Sequence, residues 1–204
     1  MPTCVCRGEK DHRVSFWAEK RFVDIGECKE VPMFKFRTLI LMRGIPGSGK
    51  STIARSLAGV TSEEITREGA YRFQYGTISR GAVLSTDFYF MDDAGEYRFD
   101  PAKIGDNHGL NQACCDALME DGEPLIVIDN TNTMIWEMEP YAEMAKVHGY
   151  KVVVVEVPHP PIEVAAARNS HGVPVEALER MVKRWQPEIP SEWSNHDVRT
   201  NGGE

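Results

Sequence analysis

The run Gly44-Ile45-Pro46-Gly47-Ser48-Gly49-Lys50-Ser51-Thr52 fits G-x-x-x-x-G-K-[ST], a phosphate-binding loop. The chemistry follows from the residue types. Glycines let backbone amides approach an anion with no Cβ in the way. A helix opening at the end of the loop adds further amides. Lys50 would neutralise the β- and γ-phosphates, and Ser51 would hold Mg²⁺. The expected ligand is a nucleoside triphosphate with its metal, bound along Gly44 to Thr52.

Two acidic clusters follow. Asp87, in Thr86-Asp87-Phe88-Tyr89-Phe90, comes directly after a short apolar run. A carboxylate there can orient and deprotonate an attacking hydroxyl, or it can cap a turn. Asp129 ends the run Leu125-Ile126-Val127-Ile128 in the manner of a Walker-B aspartate, where it would hold Mg²⁺ through water or fix Ser51. Asn130, Thr131 and Asn132 either join the nucleotide site or end the strand in a turn. Arg168, followed by Asn169, Ser170 and His171, lies in the break between the last two helices. A lid arginine there would cover the transferred phosphate. The other reading is a helix-end cation held by the dipole. Cys4, Cys6, His12 and Cys28 could form a zinc site, but Cys-x-Cys is not the usual knuckle spacing.

The elements that must position these residues read as strands alternating with helices. Leu39–Met42 precedes the loop and Ile53–Ala58 follows it. Residues 60–80 read as a helix or an irregular excursion, and Ala82–Ser85 as a second buried strand. A loop over 91–103 leads to a helix whose inward face carries Leu110, Cys114, Ala117 and Leu118, closed near Gly122. After the Leu125–Ile128 strand, Pro140 opens a helix that runs to His148 and stops at Gly149, with Met138, Tyr141 and Ala145 inward. Val152–Val155 is a further buried strand. Ile162–Arg168 reads as a helix, and Pro174 opens a last one with Leu178, Met181, Val182 and Trp185 as its core face.

This pattern implies an α/β fold, a P-loop NTPase-type parallel sheet with helices on both faces. Ligands of such sheets bind beyond the carboxyl ends of the strands, where the three polar clusters converge. Residues 1–34 form an appendage of unreadable role, with a hairpin over 13–17 and 21–25. Residues 35–186 are the nucleotide-binding domain, and 187–204 a loose tail.

With 204 residues and 42% hydrophobic content, the chain can bury a real core. It has no apolar run of membrane-spanning length and no signal-peptide core. Its five cysteines are unpaired in spacing, as expected for a reducing, cytoplasmic or otherwise intracellular setting. A net charge of −8 argues against a general nucleic-acid coat but not against a local basic site. Nothing in the sequence reads on oligomeric state.

Taken in order, G-x-P-G-S-G-K-S-T, L-S-T-D-F-Y-F, I-D-N-T-N with W-E-M-x-P-Y, and A-R-N-S-H-G-V resemble the P-loop polynucleotide 5′-hydroxyl kinase family. The likeness is greatest to the kinase domain of animal NEDD4-binding proteins and more distant to the tailed-phage polynucleotide kinase. It covers about Phe36 to Trp185. The resemblance implies ATP-dependent transfer of the γ-phosphate to a 5′-hydroxyl end of DNA or RNA. It gives Lys50 and Ser51 to phosphate and Mg²⁺, Asp87 to the general base and Arg168 to the lid. Relatives often carry a second aspartate where this chain has Phe88. Two other functions stay open: a P-loop kinase of a small molecule or nucleotide, and an ATP-binding interaction module.

Overall fold

The computed structural model describes residues 13–18, 21–27, 37–59, 70–75, 78–92 and 94–197, with the segments at 13–27, 70–80 and 194–197 described through their backbone. The chain divides into two units, Met1–Lys35 and Phe36–Glu204. In the first, β1 (Arg13–Ala18) and β2 (Arg21–Glu27) pair antiparallel as the expected hairpin. Cys4, Cys6, His12 and Cys28 lie outside the described residues.

The second unit is a six-stranded sheet. Its strands are β3 (Thr38–Arg43), β4 (Ala70–Tyr75), β5 (Ile78–Leu84), β6 (Leu125–Ile128), β7 (Lys151–Glu156) and β8 (Ser194–Asp197). They lie in the order β4-β5-β6-β3-β7-β8. β5, β6, β3, β7 and β8 run parallel, and β4 joins the edge antiparallel. The parallel α/β core is as the sequence implies.

Alternation along β3 explains why both faces are covered. Leu39 and Leu41 face one apolar cluster with residues of the helices α2 (Ile104–Glu120) and α3 (Glu139–His148). Ile40 and Met42 face the other with Ala54 and Ala58 of α1 (Lys50–Ala58). Successive side chains of a strand point to opposite faces, so a continuous apolar run needs a layer on each side. Each such side chain contributes roughly 1.5–3 kcal/mol relative to exposure.

Several elements fall where expected. α3 has Pro140 in its first turn and ends at Gly149 with φ +72°. Its residues Tyr141 and Ala145 are fully buried, as is Met138 before it. α4 spans Ile162–Arg168 and α5 spans Val175–Lys183, entered from Pro174.

Others differ. Part of the excursion assigned to 60–80 is the β4–β5 hairpin, paired antiparallel over Ala70–Leu84. Residues 60–69 lie outside the described set. α2 buries Asn107, Asn111, Cys115, Leu118 and Met119, while Leu110 is 53% exposed. The helix is turned by its polar side: the Asn111 amide donates to the Tyr141 hydroxyl at 2.8 Å, and a hydrogen-bonded asparagine can sit inside. On α5, Leu178 is buried as expected, but Val182 is exposed. Trp185 instead stacks its ring on the Arg43 guanidinium at 4.1 Å.

The segment read as a loose tail carries β8. Ile189 and Trp193 pack on the larger apolar cluster, and β8 extends the β7 edge in parallel register. Pro187 and Pro190 lie ahead of this strand and do not interrupt it.

Candidate active site

The phosphate loop joins β3 to α1. At Gly47 the backbone has φ +78°, and a Cβ would meet the Ala165 carbonyl oxygen of α4 at 2.1 Å. Glycine is therefore required twice over, by the left-handed backbone and by contact with the helix behind the loop. Ile45, fully buried, packs with Ala165 and Leu178, so α4 and α5 seat directly on the loop. Gly44 N–H donates to the Thr131 carbonyl at 3.1 Å, tying the loop to the end of β6.

Lys50 is buried and its ammonium donates to the Ile45 carbonyl at 3.4 Å. Burial pushes its pKa down, and the carboxylates of Asp129 and Asp87 oppose that shift. Asp129 is also buried. Burial pushes its pKa up, offset by the charge of Lys50 and a hydrogen bond from Ser51. Each charge makes the other tolerable in a place that disfavours both.

Asp87 sits in a 3-10 turn, Thr86–Phe90, directly after β5. Two side chains brace this turn against β6. Ser85 Oγ accepts from Asp87 N–H at 3.3 Å and donates to the Asp129 carbonyl at 3.0 Å. Asn130 Oδ1 accepts from Thr86 N–H at 3.0 Å. The result is a cleft of about 250 Å³ lined by Ser51, Arg55, Ser85, Asp87, Asp129 and His171 among others.

The loop residues Lys50 and Ser51 and the two aspartates are therefore brought together. Thr52 is exposed on the first turn of α1. Asn130 braces the Asp87 turn, and Thr131 accepts from Gly44 through its carbonyl. Asn132, expected at the nucleotide, is instead 2% exposed, and its amide donates to the Met42 carbonyl at 2.7 Å. It adopts φ +46°, a conformation asparagine tolerates better than most residues. Its side chain holds the strand end and is not free for a ligand. Arg168 is exposed at the end of α4 and does not line the cleft, which is reached instead by Ser170 and His171, two and three residues further on.

Three contributors were not legible beforehand. Arg55 follows Ser51 by one helical turn, a spacing that puts both on one face. Tyr97 reaches Asp87 through a loop that folds back, for which the local sequence carries no signal. Arg43 is fully buried. It donates to the carbonyls of Asn132 at 2.9 Å, Thr133 at 3.3 Å and Gln186 at 2.7 Å, and pairs with Glu156 at 3.1 Å. A charged residue closing an apolar strand was its signal.

The donor set fits a triphosphate and its metal. Ser48 Oγ and Asp129 Oδ1 are buried with no partner, beside the buried cation of Lys50 and the Ser51 hydroxyl. Among the described residues no group of three or more histidine, cysteine, aspartate or glutamate side chains could hold a metal, and no helix is long and apolar enough to cross a membrane.

A family model described as an AAA domain matches residues 39–187. The chain belongs to this AAA domain family. It is 39% identical to human NEDD4-binding protein 2 over 152 residues, which is 72% of this chain and 8% of that protein. It is 24% identical to human YLP motif-containing protein 1 over 182 residues, 80% of this chain and 8% of that protein. The chain thus spans less than a tenth of these relatives. A solved putative kinase from Chloroflexus aurantiacus superposes with a TM-score of 0.54 at 16% identity, covering 80% of this chain and 88% of that one. The resemblance to NEDD4-binding proteins is borne out, and the P-loop α/β fold is shared with that solved structure.

Proposed function

We propose that this chain is an ATP-dependent polynucleotide 5′-hydroxyl kinase. The observation that carries the reading is Asp87, a carboxylate in the same cleft as Ser51 and Asp129. The motif order adds the acceptor class. The acceptor oxygen forms a bond to the γ-phosphorus, the bond from that phosphorus to the β,γ-bridging oxygen breaks, and ADP leaves. Asp87 takes the hydroxyl proton. Lys50 and the amides of Gly47, Gly49 and the first residues of α1 hold the phosphates, and Arg168 swings over the transferred group from the lid. Mg²⁺, held by Ser51 and Asp129, would offset charge on the β- and γ-phosphates.

A second reading, a kinase of a small alcohol or nucleotide, is favoured by the net charge of −8 and the modest cleft. One assay separates them. The protein is incubated with γ-labelled ATP, Mg²⁺ and 5′-hydroxyl DNA and RNA oligonucleotides. Label on the oligonucleotide end supports the kinase of ends. Label on a metabolite fraction alone supports the second reading. Tight ATP binding with no transfer to either would leave an ATP-binding interaction module.

A further inference from the structure

Asp87 is held from two sides by residues that the transfer reaction does not otherwise use. The Tyr97 hydroxyl donates to Asp87 Oδ1 at 3.2 Å. His171 Nε2 lies 3.7 Å from Oδ2. The two rings also pack on each other, with centroids 4.4 Å apart. Three side chains from three segments thus form one closed cluster.

Both partners are placed by built loops. Asp92 Oδ1 accepts from the amides of Ala94 and Glu96, and Arg98 pairs with its other oxygen at 2.6 Å. The Met91–Tyr97 bridge then returns Tyr97 to the turn that carries Asp87. Phe90 backs the Tyr97 ring at 5.9 Å. On the lid side, Asn169 Oδ1 accepts from His171 N–H at 3.0 Å while its amide donates to the Val173 carbonyl at 2.9 Å. Burial and then the Asp87 charge push the Tyr97 phenol up, which keeps it a donor.

We infer that Tyr97 and His171 are positioning residues for Asp87, and that His171 couples the aim of the base to the seating of the lid. The inference rests on Asp87 being the base. The Asp87 side chain is 46% exposed, and a lone carboxylate so exposed turns freely. A carboxylate offers about four lone-pair sites, so the Tyr97 hydrogen bond and the His171 ring beside Oδ2 still leave room for an acceptor hydroxyl. His171 lies on the segment that follows Arg168. A seated lid thus aims the base and brings the lid cation together, and an unseated lid does neither.

The test measures kcat and the KM for ATP with whichever acceptor takes label. Tyr97→Phe, His171→Ala and His171→Gln are compared alone and combined with Asp87→Asn. His171→Ala and Tyr97→Phe are expected to lower kcat by about tenfold to a hundredfold, since misplacing a reacting group by about 1 Å can cost about 10²-fold, with the KM for ATP unchanged. His171→Gln, which keeps a donor, recovers most of the rate. In the Asp87→Asn background none of these changes lowers kcat further. Equal losses in both backgrounds, or a loss carried by the KM for ATP, would overturn the inference. A second readout needs no acceptor: the ring resonances of His171 in the free protein move on Asp87→Asn and on Tyr97→Leu. If oligonucleotides take no label but another acceptor does, and the variants behave with it as expected while those resonances move, the acceptor assignment fails and the inference stands; if no acceptor takes label, both fail. If the resonances do not move, the inference fails whatever the acceptor.

Discussion

Lys50 and Asp129 show how much a single buried pair can dictate. Burial works against both charges, and each charge opposes that shift in the other. Lys50→Ala removes the cation that faces the phosphates and leaves Asp129 without its offset. Phosphoryl transfer is expected to be lost and ATP binding weakened while the circular dichroism spectrum stays folded. Wild-type turnover in that variant would remove the phosphate-loop assignment. Asp87→Asn keeps the shape of the side chain and gives up the acceptor charge. General-base catalysis is typically worth about 10²–10⁴ in rate, so a kcat loss of that size is expected with ATP affinity nearly unchanged in a direct titration. Gly47→Ala asks a β-carbon to share space with the Ala165 carbonyl. It should weaken ATP binding by about tenfold or more, since left-handed backbone alone costs a non-glycine roughly 1–2 kcal/mol. A variant that bound ATP normally would show that the loop can move off α4.

At the scale of elements, the carboxyl ends of β3, β5 and β6 are stitched into one surface by a few polar contacts. Ser85 and Asn130 join the Asp87 turn to β6. Gly44 joins the loop to Thr131. Arg43 joins β3, the end of β6, β7 and the segment after α5. Its guanidinium is fully buried, and breaking a buried pair by removing one partner typically costs about 3–5 kcal/mol. Arg43→Ala is therefore expected to lower the unfolding free energy from a urea titration by an amount in that range and to loosen the site with it. An effect under about 1 kcal/mol would show that water replaces the guanidinium in full. The lid is an element of the same kind. Through Ile45 and Gly47 it packs on the loop, and through His171 it meets the base.

At the scale of the whole molecule, two expectations follow from sheet edges and net charge. β8 covers the far edge of β7, with Ile189 and Trp193 anchoring its approach. Removing residues 187–204 strips that cover and leaves unpaired strand groups, which invite association. Calorimetry should show a melting temperature lower by several degrees, and light scattering should show self-association. An unchanged melting temperature would mean that β8 adds nothing to the sheet. The net charge of −8 opposes a polyanion, so binding of a 5′-hydroxyl oligonucleotide is expected to be weak and salt-sensitive. Each neutralised phosphate adds about 0.7 to the log–log salt slope for single strands. A slope near zero would mean that the acceptor is not a polyanion.

The phosphate loop, the parallel α/β order and the bounds of α3 and α4 were set by the sequence alone, because each depends on neighbours within a few residues. A glycine turn, a Pro140 start and a Gly149 stop act through local backbone sterics, and a continuous apolar run such as Leu125–Ile128 has few places to go but a central strand. The inward face of α2 was settled only in three dimensions, since Asn111 turns inward to meet the Tyr141 hydroxyl of α3. The same holds for Asn132, whose amide is taken by the Met42 carbonyl, and for β4 and β8, which need an existing edge to pair with. The surroundings of Asp87 are the clearest case. Tyr97 and His171 reach it from two separate loops, and contacts made across such distances in the chain leave no period or spacing to read.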